Sequence, residues 1–444
     1  MRLQGSVVLL AACAELVTAT GRPFRSRVTL NDASNKIARN IRKCLGPPPP
    51  TVYFPLNFRY GFTEKVTTDL VIPGRNDTIK VCFDQGSESY WLLDKAAVYN
   101  WGCDGLFCLG PCNVSATPAY DYSASPDASK PVPFEYFSAY GDAAKFVVGD
   151  AAVEDTMTFV SVSGQRSTIP GIETALIDAY SVRGGDDGKC TPQDISYDQG
   201  ILGIAPYRHD AEHNTTGPHP RQHLLEKGTI KAAVQSMWMD KRPSGVNDTY
   251  TGGALFGGID LTKFTGPLVK VRSLVPEQGS VGYYVAPPTI SFQGKKISTA
   301  SSSVDRCLVD SGTRNDALPI GSDNEDAFYE ATGLVESPNG WTSWPGECDS
   351  VPSDVTLDLK FPGMKNGTSV DVKIPLKNYV RWDSGEKGLC RLNINLGSCT
   401  LAAPFSSAAF FAADDERGEI AFAQGGISEM GSGPSENDIV LRIP

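Results

Sequence analysis

The sequence predicts an all-β protein of two similar lobes with short helices and a cleft between them, and three observations carry that prediction. With 444 residues and 41% apolar content the chain can bury roughly two or three core units rather than one. Its 44 glycines and 31 prolines suit many short strands joined by turns better than a bundle of helices. The third observation is an internal repeat. Val81-Cys82-Phe83-Asp84-Gln85-Gly86-Ser87 and Cys307-Leu308-Val309-Asp310-Ser311-Gly312-Thr313 both read as an apolar strand ending in Asp-x-Gly-Ser/Thr.

In chain order, residues 1–19 read as a secretory signal. Arg2 supplies the basic start, Ser6 to Ala14 a short apolar core and Val17-Thr18-Ala19 a small-residue cleavage site. That apolar run is too short to anchor the chain in a bilayer, and Glu15 interrupts it. No later stretch spans a membrane, and the polar tail 429–444 lacks the apolar run of a GPI signal, so a soluble, exported product is expected. Secretion to the exterior is the first choice of destination and a vacuole-like compartment the second.

Residues 20–50 form a basic segment ending in Pro47 to Pro50, an extended linker. The first 50 residues hold eight of the 40 basic side chains and two of the 51 acidic ones, net +6, and the body beyond them is left at −17. A basic segment ahead of an acidic body reads as a prosegment held by charge and released on acidification, with a disordered basic tail as the alternative. The acidic body argues against nucleic acid as a partner.

One of the 11 cysteines, Cys13, leaves with the signal. The remaining even number in an exported chain points to disulfides before metal ligation. Asn76, Asn113, Asn214, Asn247 and Asn366 head Asn-x-Ser/Thr sequons, as in a glycoprotein.

The first lobe is expected over 51–262. Thr67 to Ile72 and Thr78 to Phe83 flank the turn-rich Pro73-Gly74-Arg75-Asn76-Asp77 and read as a hairpin. In its second arm Ile79, Val81 and Phe83 share one face, leaving Lys80, Cys82 and Asp84 on the other. Cys103-x4-Cys108-x3-Cys112 reads as a clipped loop, with a zinc knuckle as the minority alternative because no His lies near. Phe134 to Phe159 alternates around a hairpin tip at Tyr140-Gly141-Asp142, where an aromatic either covers a cleft or simply packs. Gly200 to Ala205 is a small apolar strand suited to close backbone approach. His209, His213, His219 and His223 pair at helical spacing, a metal-like signal, but Gly217, Pro218 and Pro220 point instead to an exposed loop before a short helix from about Pro220 to Lys227.

Thr251 to Asp260 closes the first lobe, and the second is expected over 263–428. Its strand signals are Val281 to Ile290, the Asp310 stretch, Val355 to Phe361, Val370 to Ile374, Leu401 to Phe405 and Glu419 to Ala423.

A single Asp-x-Gly commonly marks a turn. Two copies, each ending an apolar strand, imply two strand ends brought together on a pseudo-symmetry axis. Carboxylates held that close cannot both ionise easily, so they share a proton and act as base and acid toward one water. Such a pair adds water to an amide without metal or covalent nucleophile.

These stretches resemble the pepsin-like aspartic proteases over most of residues 51–425, in what is identified as a divergent member. Asp84-Gln85-Gly86-Ser87 and Asp310-Ser311-Gly312-Thr313 are similar to the two catalytic loops, and Trp91 falls where the family has a tryptophan. Tyr140-Gly141 resembles the flap tip, and Gly200 to Gly203 the first lobe's inner strand. Phe256 to Asp260 resembles the segment ending that lobe. The resemblance implies a bilobal β fold, with Asp84 and Asp310 as the catalytic pair. Ser87 and Thr313 support them, and Gly86, Gly312, Tyr140 and Trp91 join those two in shaping a cleft for an extended polypeptide. It also implies Cys103–Cys108 and Cys348–Cys390 as disulfide pairs, an inhibitory prosegment, a monomer, and no metal or organic cofactor.

The chain also departs from the family. Gln85 stands where a hydroxyl normally bonds across to the other loop, and losing such a buried bond costs about 1–3 kcal/mol. Arg314, Asn315 and Asp316 follow the second loop in place of small or apolar residues. An inward Arg314 would favour both carboxylates ionised and spoil proton sharing; an outward one alters which side chains are accepted. Ala402 replaces a family glycine, and Ala413-Asp414 a Phe-Asp pair. Three functions follow: an acid endopeptidase first, then acid–base chemistry on a small molecule, then a non-catalytic binding or inhibitor module.

Overall fold

The computed structural model describes residues 50–59, 65–75, 77–101, 110–111, 118–141, 145–182, 199–206, 218–243, 249–274, 281–299, 303–381 and 386–444. The expected signal, residues 20–49 of the basic segment, Cys103, Cys108, Cys112, His209, His213 and the sequons at Asn76, Asn113, Asn214 and Asn247 lie outside them.

Strands dominate, and 14 of them form one continuous sheet among the described residues. Its middle is built from Val52–Phe58, Val234–Met239 and Tyr250–Phe256, all antiparallel neighbours. Gly252 and Gly253 let Trp238 lie flat against the Tyr250–Phe256 strand, since a Cβ at Gly253 would meet its ring at 2.5 Å. Two strands from late in the chain, Ala409–Asp414 and Glu419–Gln424, join this sheet beside Val234–Met239. The two halves of the sequence are thereby stitched into one hydrogen-bonded layer.

On the first-half side the sheet continues through Val66–Val71 and Thr78–Asp84, the expected hairpin. The faces divide as their alternation predicts: Ile79, Val81 and Phe83 enter the main core, and Cys82 joins Trp91, Tyr136 and Tyr180 in a separate cluster. The long strands Lys145–Val160 and Arg166–Val182 wrap this half. In the second half, Thr289–Phe292, Thr356–Pro362 and Ser369–Pro375 make a separate antiparallel sheet. Asn366 sits exposed at the turn joining the last two.

Several elements differ from expectation. Val281 to Ile290 is two strands, Tyr283–Val285 and Thr289–Phe292, because Pro287 and Pro288 remove the ladder donors between them. Leu401 to Phe405 is not a strand. Pairing stops at Leu401, and Ala403–Ala408 is a buried helix with Pro404 in its first turn, where a missing N–H costs nothing. His219 is not on an exposed loop either: it is buried as the N-cap of the helix Pro220–Glu226, its Nδ1 accepting from Gln222 N at 3.1 Å. Burial drives its pKa down to about 3, so it is neutral. Residues 429–444 fold back onto the sheet, with Ile439–Val440 pairing Ile259–Asp260 and Ile443 in the core.

Cys348 and Cys390 form a disulfide, as the resemblance implied, and Cys307 pairs with Cys399, a partner its strand face did not identify. Among the described residues no helix is long and apolar enough to cross a membrane.

Candidate active site

Both Asp-x-Gly stretches end strands that lie beside a parallel neighbour. Thr78–Asp84 pairs with Gly200–Gly203, and Ile204 N donates to Asp84 O at 2.8 Å. Cys307–Val309 pairs with Thr400–Leu401, and Asp310 N donates to Leu401 O at 2.9 Å. Each aspartate is therefore fixed at its backbone before its side chain is considered.

The side chains are held alike. Asp84 Oδ1 accepts from Gly86 N at 2.8 Å, and its Oδ2 from the Ser87 hydroxyl at 2.7 Å. Asp310 Oδ1 accepts from Gly312 N at 2.9 Å, and its Oδ2 from the Thr313 hydroxyl at 2.6 Å. The glycines are required by the opposite half. A Cβ on Gly86 would lie 2.7 Å from the Asp310 carboxyl carbon, and one on Gly312 would lie 2.5 Å from Asp84 Oδ1. Each carboxylate thus rests against the other loop's glycine, which no other residue could replace without displacing an acid.

Two carboxyls facing each other disfavour a charge on the buried one. Burial raises the Asp84 pKa well above the ordinary carboxylate range, and the facing Asp310 charge and a hydrogen bond with Asp310 raise it further. Bonds from Ser87 and Gly86 oppose the rise without cancelling it. Arg314 is half-buried and is not among the leading influences on Asp84.

The loops are tied across the cleft from one side. The Ser311 hydroxyl donates to Phe83 O at 2.5 Å and accepts from Gln85 N at 3.2 Å. Gln85 is fully buried, and its side chain turns the other way: Oε1 accepts from the Ser406 hydroxyl at 3.4 Å, and Nε2 has no partner among the described residues.

Behind the second loop stands a residue that the repeat did not single out as part of the site. Asp316 is fully buried, and its Oδ1 accepts from Ala402 N at 2.6 Å and Phe405 N at 3.3 Å. It therefore caps the Ala403–Ala408 helix, which has no side-chain cap of its own. Burial raises its pKa to about 7, against lowering by its hydrogen bonds. An acid in an otherwise apolar register was the available signal, but its partners lie 86 and 89 residues away.

Over the first loop, Trp91 Nε1 donates to the Tyr140 hydroxyl at 2.8 Å, with the rings tilted at 6.2 Å. The Lys145 ammonium sits 4.9 Å from the Tyr140 ring centre, opposite it across the hairpin. Of the four histidines, His223 lies between Glu154 and Glu173 on the outside of the first half, and no His/Cys/Asp/Glu cluster among the described residues could hold a metal.

The chain resembles known proteins over the same span. The family description eukaryotic aspartyl protease matches residues 67–425. Candidapepsin of Candida tropicalis is 25% identical over 331 residues, 74% of this chain and 70% of the relative. An acid protease of Saccharomycopsis fibuligera is 24% identical over 57% of this chain and 62% of its own length. Secreted aspartic protease 9 of Candida albicans is 27% identical over 49% of this chain and 40% of its own.

Proposed function

Since the chain belongs to the eukaryotic aspartyl protease family, we propose that it is a secreted aspartic endopeptidase in which Asp84 and Asp310 activate water against a peptide bond. The observation that carries this reading is the mutual seating of the two carboxylates, each against the other loop's glycine, with the Asp84 pKa raised by burial and by its partner.

With one proton between them, the ionised carboxyl takes a proton from a water held across the pair as its oxygen attacks the peptide carbonyl carbon. The protonated carboxyl gives its proton to the carbonyl oxygen. The resulting gem-diol collapses when the carboxyl that took the water proton passes it to the amide nitrogen, the other carboxylate takes a proton from a gem-diol hydroxyl as C=O re-forms, and the C–N bond breaks, which returns the pair to one shared proton. Gly86 N, Ser87, Gly312 N and Thr313 orient the carboxylates by bonding one oxygen each. Tyr140, held by Trp91, closes the hairpin over an extended substrate. Residues 20–50 are proposed as the prosegment and 1–19 as the signal, in line with relatives whose names describe secreted proteases.

One observation favours a second reading, a fold retained without proteolysis: Gln85 sends no side-chain bond to the other loop. The same experiment decides. The processed protein is incubated at acidic pH with a denatured protein substrate, with and without a statine-type inhibitor, beside Asp84→Asn. Inhibitor-sensitive cleavage that disappears in the variant supports the peptidase. No cleavage at any pH rejects it.

A further inference from the structure

Away from the aspartates, cationic side chains converge on one void. A cavity of about 270 Å³ opens where Lys241 and Arg242, leaving the Val234–Met239 strand, meet Lys373 and Lys377 at the end of Ser369–Pro375. Among the described residues no Asp or Glu lines it. In a chain of net charge −11 this is a local reversal of sign. Lys241, Lys373 and Lys377 enter no ion pair among the described residues.

The floor of the cavity is ordered and polar. Asn378, itself buried, donates through Nδ2 to the Ser407 hydroxyl at 2.7 Å, and that hydroxyl donates to Pro404 O at 2.6 Å. The rim is fixed by Gln424, whose amide donates to Ala408 O at 3.0 Å and whose Oε1 accepts from Lys373 N at 2.8 Å. The Lys373 backbone and the polar floor beside it are therefore held by hydrogen bonds.

Like charges around one void repel, and lysine and arginine can only donate hydrogen bonds. Both conditions are relieved by a multiply charged acceptor. The volume lies just under the roughly 300–1,000 Å³ of sites for drug-sized organic ligands, which suits a compact anion better than a peptide. We infer that this cavity is a binding site for a multivalent oxyanion of the phosphate type, held between Lys241 and Arg242 on one wall and Lys373 and Lys377 on the other.

Such an anion bridges segments of the two halves of the sequence, because Lys241 follows a first-half strand and Lys373 lies on a second-half one. The site also lies behind the helix that touches the aspartate loops: Ser407 faces the cavity, and its neighbour Ser406 donates to Gln85 Oε1.

The test titrates the full-length protein by calorimetry at pH 6 with tripolyphosphate, inorganic phosphate, oligoglutamate and sodium chloride at matched ionic strength. Saturable one-to-one binding of tripolyphosphate is expected, tighter than inorganic phosphate, with a raised melting temperature that chloride does not reproduce. Lys373→Gln and Lys377→Gln should each weaken it about tenfold, the size of one charge-assisted hydrogen bond. Lys241→Gln, on the opposite wall, should do the same, and Lys365→Gln, outside the cavity, should leave it unchanged. Unchanged affinity in the three cavity variants, equal loss in Lys365→Gln, or stabilisation by chloride alone overturns the assignment. Oligoglutamate binding as tightly as tripolyphosphate also overturns it, in favour of a carboxylate-bearing peptide.

Discussion

The Asp84 and Asp310 loops are alike where they touch their carboxylates and unlike where they are braced. Each acid accepts from the backbone N–H two residues on and the hydroxyl three residues on, and each strand runs parallel to a neighbour. Behind that cradle the symmetry ends. The second loop reaches across through Ser311, whereas the first sends the Gln85 side chain to Ser406. The second loop also has Asp316 gripping the start of the Ala403–Ala408 helix. The duplication is kept at the reacting atoms, where geometry is demanding, and relaxed one layer out, where different contacts hold the same backbone.

The largest effect expected from breaking this comparison falls on the shared part. Asp84→Asn and Asp310→Asn should each lower peptide hydrolysis by roughly 10²–10⁴-fold or more, since either removes half of the acid–base pair. Equal losses from both confirm that the halves act as one site; a variant retaining normal turnover breaks the pair.

Next comes the unshared brace. Asp316→Ala leaves two buried N–H groups without an acceptor and should destabilise the protein by about 1–3 kcal/mol for each. Asp316→Asn keeps an acceptor oxygen and should cost less, but it changes the pH dependence. Because the folded pKa of Asp316 is raised to about 7, above its ordinary 3.8, its contribution to stability is complete below pH 3.8 and is lost as pH rises through 7. Asp84 acts in the same direction. Melting temperature should therefore fall from acid to neutral pH, and Asp316→Asn should flatten part of that fall. An unchanged slope would mean that the carboxyl is ionised throughout.

What the sequence disclosed follows the same division. The aspartates, their glycines and hydroxyls, the flap hairpin and the oddity of Gln85 were all readable, because each is local: a strand end, a turn residue, a broken repeat. Asp316 was visible only as an acid out of place, since its partners come from a distant segment. Cys307 showed which way it faced, but its bond to Cys399 depends on a parallel strand that no local pattern encodes. Leu401 to Phe405 reads as a strand because a short apolar run suits strand and helix alike, although Pro404 marks a helix start. His219 reads as exposed for the converse reason, as flanking prolines signal a loop whether or not the residue between them is buried.

Gln85 is the direct lever on the asymmetry. Gln85→Thr restores a short hydroxyl able to bond across, as Ser311 already does from the other side. One gained bond of about 0.5–1.5 kcal/mol corresponds to a two- to tenfold rise in kcat if it tightens the pair only in the transition state. A fall in kcat, with loss of stability, would show that the bond to Ser406 is the working substitute.

The smallest effect belongs to the Tyr140 hairpin. Tyr140→Phe removes the hydroxyl that accepts from Trp91 but keeps the ring beneath Lys145. The lost bond spans the hairpin and its base, so it should act on substrate closure rather than on proton transfer. We expect kcat/KM to fall by about two- to fivefold, with the unpartnered N–H of buried Trp91 felt mainly as about 1–3 kcal/mol of lost stability. The pH profile should not move, since neither carboxyl loses a neighbour. A shifted profile would place Tyr140 in electrostatic contact with the aspartates and make the flap part of the proton-sharing unit.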